Sequence, residues 1–105
     1  MVDHELDELK REFLAEADEK VREMQTALEG GQSSAMLERL AYLAHQLKGS
    51  GGSYGYQRIS LDAAEIEKVV ETIDPSKDMP LDGRIQEHVG NLRDEIVRRS
   101  RELGA

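Results

Sequence analysis

The chain has 105 residues, the size of one domain, and it contains no cysteine. Disulfides, zinc fingers and thiol chemistry are therefore excluded, and a reducing, cytoplasmic setting is expected. A formal charge of −8 disfavours partners that are nucleic acids or anionic membrane surfaces. An aromatic content of 4% disfavours a β-sheet core. The acidic N-terminus lacks the order of a signal peptide, and no apolar run approaches the ~18 residues of a spanning helix.

Four segments place apolar residues at helical spacing, and none shows sustained alternation of period two. The predicted helices span roughly residues 3–28, 34–51, 57–73 and 81–103 of a single domain, 1–105. Glycines follow the first segment, Ser33 or Ser34 can cap the second, and Asp74-Pro75 closes the third. The predicted fold is therefore an all-α, antiparallel four-helix bundle. The apolar stripe of the first segment comprises Leu6, Leu9, Phe13, Ala17, Val21, Met24 and Leu28.

The negative charge is concentrated in the first segment. Residues 1–30 hold ten acids and four bases, whereas residues 84–105 hold four acids and five bases. A solvated helix face explains this excess, and steering toward a basic partner surface is the alternative.

The second segment carries a histidine on its outer face. Leu40, Ala44 and Leu47 define the core side of this helix, and His45 lies about 100° to 160° away from them on a helical wheel. His45 is therefore expected to point to solvent. A neutral imidazole is a nucleophile near pH 7, so an exposed histidine is either a reactive group or an ordinary surface residue.

The surroundings of His45 are unusually small. Ala41 and Gly49 lie one turn away, Gly52 lies two turns away, and Lys48 stands on one flank. A glycine inside a helix costs up to ~1 kcal/mol relative to alanine, so this cluster needs a physical reason. Either a large partner approaches the imidazole closely, or the helix ends here and the glycines form the turn. The Lys48 ammonium could also pair with an incoming anion such as phosphate.

The run His45-Gln-Leu-Lys48-Gly49-Ser50, followed by Gly55, resembles the signature of histidine-containing phosphotransfer (HPt) domains. The order of the segments around it is similar to that family over most of the chain, and the phosphotransfer domains of chemotaxis-type kinases are similar too. The resemblance implies a four-helix bundle with an exposed, phospho-accepting histidine on the second helix.

The resemblance also implies a role for each motif residue. His45 would accept the phosphoryl group, Lys48 would neutralise its charge, and Gly49 would let a partner close over the histidine. Ser50 and Gly55 would serve local structure, as a helix-end hydrogen bond and a turn glycine. The predicted docking residues are Ala41, Tyr42, Gly49 and Gly52, although Tyr42 could equally be an aromatic at the edge of the core.

The implied partners are receiver domains of response regulators, a hybrid histidine kinase, or both. The receiver would supply Mg²⁺ and the aspartate, and this chain has no recognisable ATP-binding signature. We therefore expect a monomeric phospho-carrier rather than an enzyme, with neither nucleic acid nor membrane as a partner.

Three other interpretations stay open or lose support. A di-iron bundle needs paired Glu-x-x-His motifs, which are absent, so no metal site is predicted and His4 and His88 are expected on the surface. A catalytically silent adaptor that binds receivers is the main alternative. The chain could also be the excised phosphotransfer domain of a hybrid or chemotaxis-type kinase, although Met1 and the length favour a free-standing protein.

Overall fold

The computed structural model describes residues 4–30, 33–74 and 83–104, and all regular structure in these ranges is helical. Helix α1 spans His4–Glu29, α2 spans Ser34–Ser53, α3 spans Gln57–Glu71 and α4 spans Gly83–Glu102. The predicted all-α class is confirmed. Helix α2 continues two residues past its predicted end, and α3 ends two residues early. Leu81, the predicted start of the last helix, lies outside the described residues.

Local chemistry sets the helix ends. The Ser33 hydroxyl accepts a hydrogen bond from the Met36 backbone N–H at 3.1 Å, so Ser33 is the residue that caps α2. Glu5 and Asp7 lie in the first turn of α1, and Arg99 and Arg101 lie in the last turn of α4. Acidic residues at a helix N-terminus and basic residues at a C-terminus interact favourably with the helix dipole, so these charges stabilise the two helices. None of the helices in the described ranges combines the length and apolar character that crossing a membrane requires.

One hydrophobic core runs between the four helices. Helices α1 and α3 each pack against both α2 and α4. Because each helix turns one apolar stripe inward, charged residues are left on the outside. The largest fully buried side chains are Leu14, Val21, Met24, Leu40, Leu47, Ile59, Ile66, Ile85, Leu92 and Ile96.

The first two turns of α1 depart from the predicted stripe. Leu6 and Leu9 are 40% and 46% exposed, so the prediction that they belong to the core stripe is wrong. The Phe13 ring stacks on the ring of Tyr54, which lies in the connection that follows α2, and the two ring centroids are 5.0 Å apart. Residues before Phe13 therefore extend past that connection and have less to pack against. Leu14, which the predicted stripe omitted, is buried instead.

His88 is not the surface residue that the sequence led us to expect. Its side chain is 22% exposed, and its Nδ1 lies 3.0 Å from Oδ1 of the buried Asp62. This contact joins α3 to α4. The side chain of His4 lies outside the described part of the chain.

Helices α2 and α3 lie in close contact at Gly51. This residue is buried, and a Cβ placed on it would lie 3.2 Å from both the Ile59 side chain and the Ser60 backbone nitrogen. Two hydrogen bonds close the same junction. The Tyr56 N–H donates to the Gly51 carbonyl at 2.8 Å, and the Ser60 hydroxyl donates to the Lys48 carbonyl at 2.8 Å. Gly51 is therefore required by helix packing, a role that the sequence analysis did not assign to it.

A pair of glycine substitutions tests this packing role. Gly49→Ala should raise the free energy of unfolding by up to ~1 kcal/mol, because alanine favours the helix and a Cβ there meets nothing within 4 Å. The free energy of unfolding of Gly51→Ala should be about 1 to 2 kcal/mol lower than that of Gly49→Ala, because the added methyl group overpacks the contact with α3 and offsets the gain in helix propensity. Urea unfolding of both variants measures the difference. Equal gains would contradict the close contact.

Candidate functional site

The candidate site lies on α2, beside α3, and is built around His45. Its side chain is 68% exposed, and its Nδ1 lies 3.0 Å from Oε2 of Glu67 on α3. Glu67 is only 19% exposed, so its carboxylate is held between the two helices. The imidazole is thus fixed on one side by a neighbouring helix and open to solvent on the other.

Lys48 completes a three-residue cluster with His45 and Glu67. Its Nζ donates a hydrogen bond to Oε1 of Glu67 at 2.8 Å, so the two carboxylate oxygens take one partner each. The hydrogen bond from Lys48, and then the one with His45, lower the pKa of the Glu67 carboxyl from its ordinary value, against an opposing effect of burial. Glu67 therefore stays ionised in this cluster at neutral pH.

An ionised carboxylate at Nδ1 has a definite chemical consequence. A carboxylate can only accept a hydrogen bond, so a neutral His45 donates its Nδ1–H to Glu67. The lone pair of that tautomer is then on Nε2, the nitrogen opposite Glu67. No residue in the described ranges hydrogen-bonds to Nε2. The cluster therefore orients a nucleophilic nitrogen away from α3.

Lys48 is partly committed to this cluster rather than free for an anion. An ammonium has three N–H donors, and one of them goes to Glu67. The Lys48 side chain is 40% exposed, so its other donors can reach a group outside the protein. The sequence predicted the position of this cation but not its carboxylate partner.

The small residues near His45 divide into distinct roles. Gly49 is exposed, and a Cβ there would meet open space, so nothing inside the protein requires a glycine at this position. Gly52 is exposed too, with its nearest contact at 3.7 Å from the Ser60 hydroxyl. Ala41 is half-buried and packs against the core. The open surface next to His45 is therefore formed mainly by Gly49 and Gly52.

The residues at the end of α2 shape the connection to α3. Ser50 lies inside the last turn of α2, and its backbone carbonyl accepts the N–H of Tyr54 at 3.1 Å. Gly55 has a φ of +81°, a backbone conformation that favours glycine, so it is the turn residue. Because α2 runs to Ser53, the turn explanation applies to Gly55 and not to Gly49 or Gly52, which lie inside the helix.

Tyr42 flanks His45 on the side toward α1. Its side chain is 52% exposed and lies outside the hydrophobic core. The Arg39 guanidinium sits 5.3 Å from the Tyr42 ring centroid, and the Tyr42 hydroxyl accepts a hydrogen bond from Gln46 at 2.8 Å. Arg39 in turn binds Glu23 of α1. The exposed aromatic ring is therefore held in place on both sides.

Sequence analysis missed Glu67. Its only local signal was a position next to the buried Ile66, which places it at the edge of the α3 stripe. That signal does not say which neighbouring helix the carboxylate meets. Within the described residues, no group of three or more His, Cys, Asp or Glu side chains could hold a metal ion.

Comparison with known proteins gives the family. Neither the curated proteins nor the solved structures contained a significant match to the chain. The model of the Hpt domain family matches residues 8–101, which is nearly the whole chain and includes His45, Lys48 and Glu67. Domains of this family act as phosphocarriers in phosphorelays and interact with receiver domains and histidine kinases. The chain belongs to the Hpt domain family.

Proposed function

We propose that His45 accepts a phosphoryl group from the aspartate of a receiver domain, or from a histidine kinase, and passes it to another receiver. The observation that supports this most directly is the shared carboxylate of Glu67, which orients the His45 ring and holds Lys48 beside it. In this proposal the chain is a carrier with no ATP site of its own. Mg²⁺ is supplied by the receiver.

The proposed step is an in-line displacement on phosphorus. The Nε2 lone pair of His45 attacks the aspartyl phosphate, the N–P bond forms, and the P–O bond to the aspartate breaks to release its carboxylate. The ring gains positive charge as this happens, and the Glu67 carboxylate at Nδ1 stabilises that charge. Lys48 offers its remaining N–H donors to the phosphoryl oxygens. Phosphoryl transfer depends mainly on positioning and charge, so these groups suffice.

The proposed docking surface for the receiver is the outer face of α2. It comprises Tyr42, Gly49 and Gly52 around His45, with Ala41 at its edge. The open space above Gly49 allows a receiver's active site to approach the imidazole, and the fixed Tyr42 ring supplies an apolar contact. An antiparallel bundle belongs to the same proposal, because the short connections before and after α2 favour reversal of the chain at each.

The first prediction concerns the acceptor. His45→Gln should abolish labelling by a phosphorylated receiver in the presence of Mg²⁺, because the attacking nitrogen is lost. The wild-type label should be stable to base and labile to acid, and the circular dichroism of the variant should be unchanged. Labelling that survives the substitution would contradict the assignment of His45. A folded wild-type chain that no receiver labels would support the silent-adaptor alternative instead.

The second prediction separates the two neighbours of His45. Glu67→Ala should slow transfer by about tenfold or more and shift the His45 ring from the Nδ1–H toward the Nε2–H tautomer, because the acceptor at Nδ1 is removed. Lys48→Ala should slow transfer while leaving the tautomer unchanged, because the carboxylate still binds the ring. Nitrogen-15 NMR of the imidazole and transfer kinetics measure both effects. An unchanged tautomer in Glu67→Ala would contradict the orienting role.

The third prediction concerns acid stability. When folding lowers the pKa of a carboxyl, the carboxylate stabilises the folded protein at pH values above the ordinary pKa of 4.5. That contribution is lost as the pH falls through the lowered pKa. As the pH is lowered below about 4.5, the free energy of unfolding should therefore decrease less for Glu67→Gln than for wild type. Glu71→Gln, an exposed change on the same helix, is the control and should follow the wild-type curve. Denaturant unfolding between pH 3 and pH 7 measures the slopes, and parallel curves for wild type and Glu67→Gln would contradict the prediction.

A further inference from the structure

A long groove between α1 and α4 lies across the bundle from the edge that holds His45 and Glu67. Two neighbouring clefts within it, of about 490 Å³ and about 430 Å³, share Arg22 and Val97. The lining follows α1 from Arg11 to Glu29, which corresponds to about 27 Å of helix. The mechanism proposed above uses no part of this groove.

The two clefts are basic although the chain as a whole is acidic. They are lined by four arginines, Arg11, Arg22, Arg93 and Arg101, and by a single carboxylate, Asp18. Asp18 is already bound by Arg22 at 3.0 Å.

Two of these arginines have no partner among the residues that the structure describes. Arg11 donates a hydrogen bond to the Leu103 carbonyl, but the Arg93 and Arg101 side chains form no ion pair or hydrogen bond with any described residue. Val97, 39% exposed, borders the same clefts. At the wider end of the groove, Asp94 and Glu102 line the wall with Arg93 and Arg101, and Glu102 is bound by Arg99. The groove thus presents unpaired cations beside an exposed apolar side chain.

Gly90 provides an independent observation. It lies inside α4 and lines the same groove beside Arg93, and a Cβ there would meet nothing within 4 Å. Glycine is the least favourable residue in a helix interior apart from proline, so a glycine without an internal contact needs another reason. Gly49, in the interior of α2 beside His45, also has open space at its Cβ position, as does Gly83 at the first residue of α4. Gly49 and Gly90 both leave room for a partner to approach the helix backbone.

We propose that the α1–α4 groove docks an acidic, amphipathic helical segment of a partner protein while His45 stays exposed. Carboxylates of that segment would pair with Arg93 and Arg101, and its apolar side chains would cover Val97 and pass over Gly90. The acidic tip of a second copy, residues 4–12, is only about 13 Å long and would fill half of the groove. Nucleic acid is disfavoured by the charge of −8.

A peptide titration tests this proposal. The probe is a synthetic peptide of about 18 residues, with leucine and glutamate at helical spacing, and the reference peptide has lysine in place of each glutamate. In amide NMR spectra of the whole chain, the glutamate peptide should shift residues around Gly90 and Val97 and spare His45. It should bind about tenfold more tightly than the lysine peptide, and added salt should weaken it.

Matched variants locate the contact. The double variant Arg93→Gln/Arg101→Gln should bind the glutamate peptide about tenfold more weakly than wild type. The control variant Lys20→Gln/Lys68→Gln removes the same charge elsewhere and should change the affinity by less than about twofold. Gly90→Gln should also weaken binding while raising the unfolding midpoint, because glutamine favours the helix.

Several results would overturn the proposal. Equal affinity for the two peptides, or shifts centred on His45, would remove the groove as an acidic docking site. If a short DNA duplex displaced the peptide, the groove would be assigned to nucleic acid. If the chain sedimented as a dimer and Arg93→Gln/Arg101→Gln disrupted that dimer, the groove would be assigned to a second copy. Receiver-dependent labelling of His45 in these variants reports separately on the proposed phosphotransfer.

Discussion

The close approach of α2 and α3 at Gly51 is the constraint on which the rest of the site depends. Because position 51 lacks a Cβ, Ile59 and the Ser60 backbone can reach α2, and Ser60 bonds to the Lys48 carbonyl. That contact fixes the register of α3 against α2. Two turns further along α3, the same register brings Glu67 between His45 and Lys48. A buried glycine thus positions a carboxylate that it never touches.

Glu67 also reconciles two opposing demands on His45. In the proposed transfer the ring must be accessible to a receiver, which favours an exposed position, yet an exposed side chain has many orientations. A single hydrogen bond at Nδ1 restricts the ring without covering Nε2, and the exposure of 68% is retained. The hydrogen bond from Lys48 lowers the pKa of the Glu67 carboxyl against the opposing effect of burial, so the restraint extends to lower pH. Glu67 and Lys48 therefore have separable roles in the proposed transfer: Glu67 orients the ring, and Lys48 meets the phosphoryl oxygens.

Periodicity was sufficient to predict the four helices and the outward position of His45, because both depend on spacing within one helix. Contacts between helices could not be predicted in this way. Glu67 is one of several acids on α3, and only the register at Gly51 selects it. His88 is instructive, because it lies three residues after Ile85 and four before Leu92, so its spacing on the apolar stripe of α4 was a sign of burial that the expectation of a surface position overlooked. Its partner, Asp62, is 26 residues away and had no local signal.

Gly49 and Gly90 lie in helix interiors with open space at their Cβ positions, and they fit the two proposed docking surfaces of this bundle. Gly49 lies on α2 beside an exposed nucleophile, and Gly90 lies on α4 in an arginine-lined groove across the bundle. In the proposed relay a receiver would leave after each transfer, so a strong contact at His45 would slow turnover. A separate groove can hold a partner segment without covering the histidine. Affinity and transfer would then be adjusted on different faces, and a substitution on one face should leave the other unchanged.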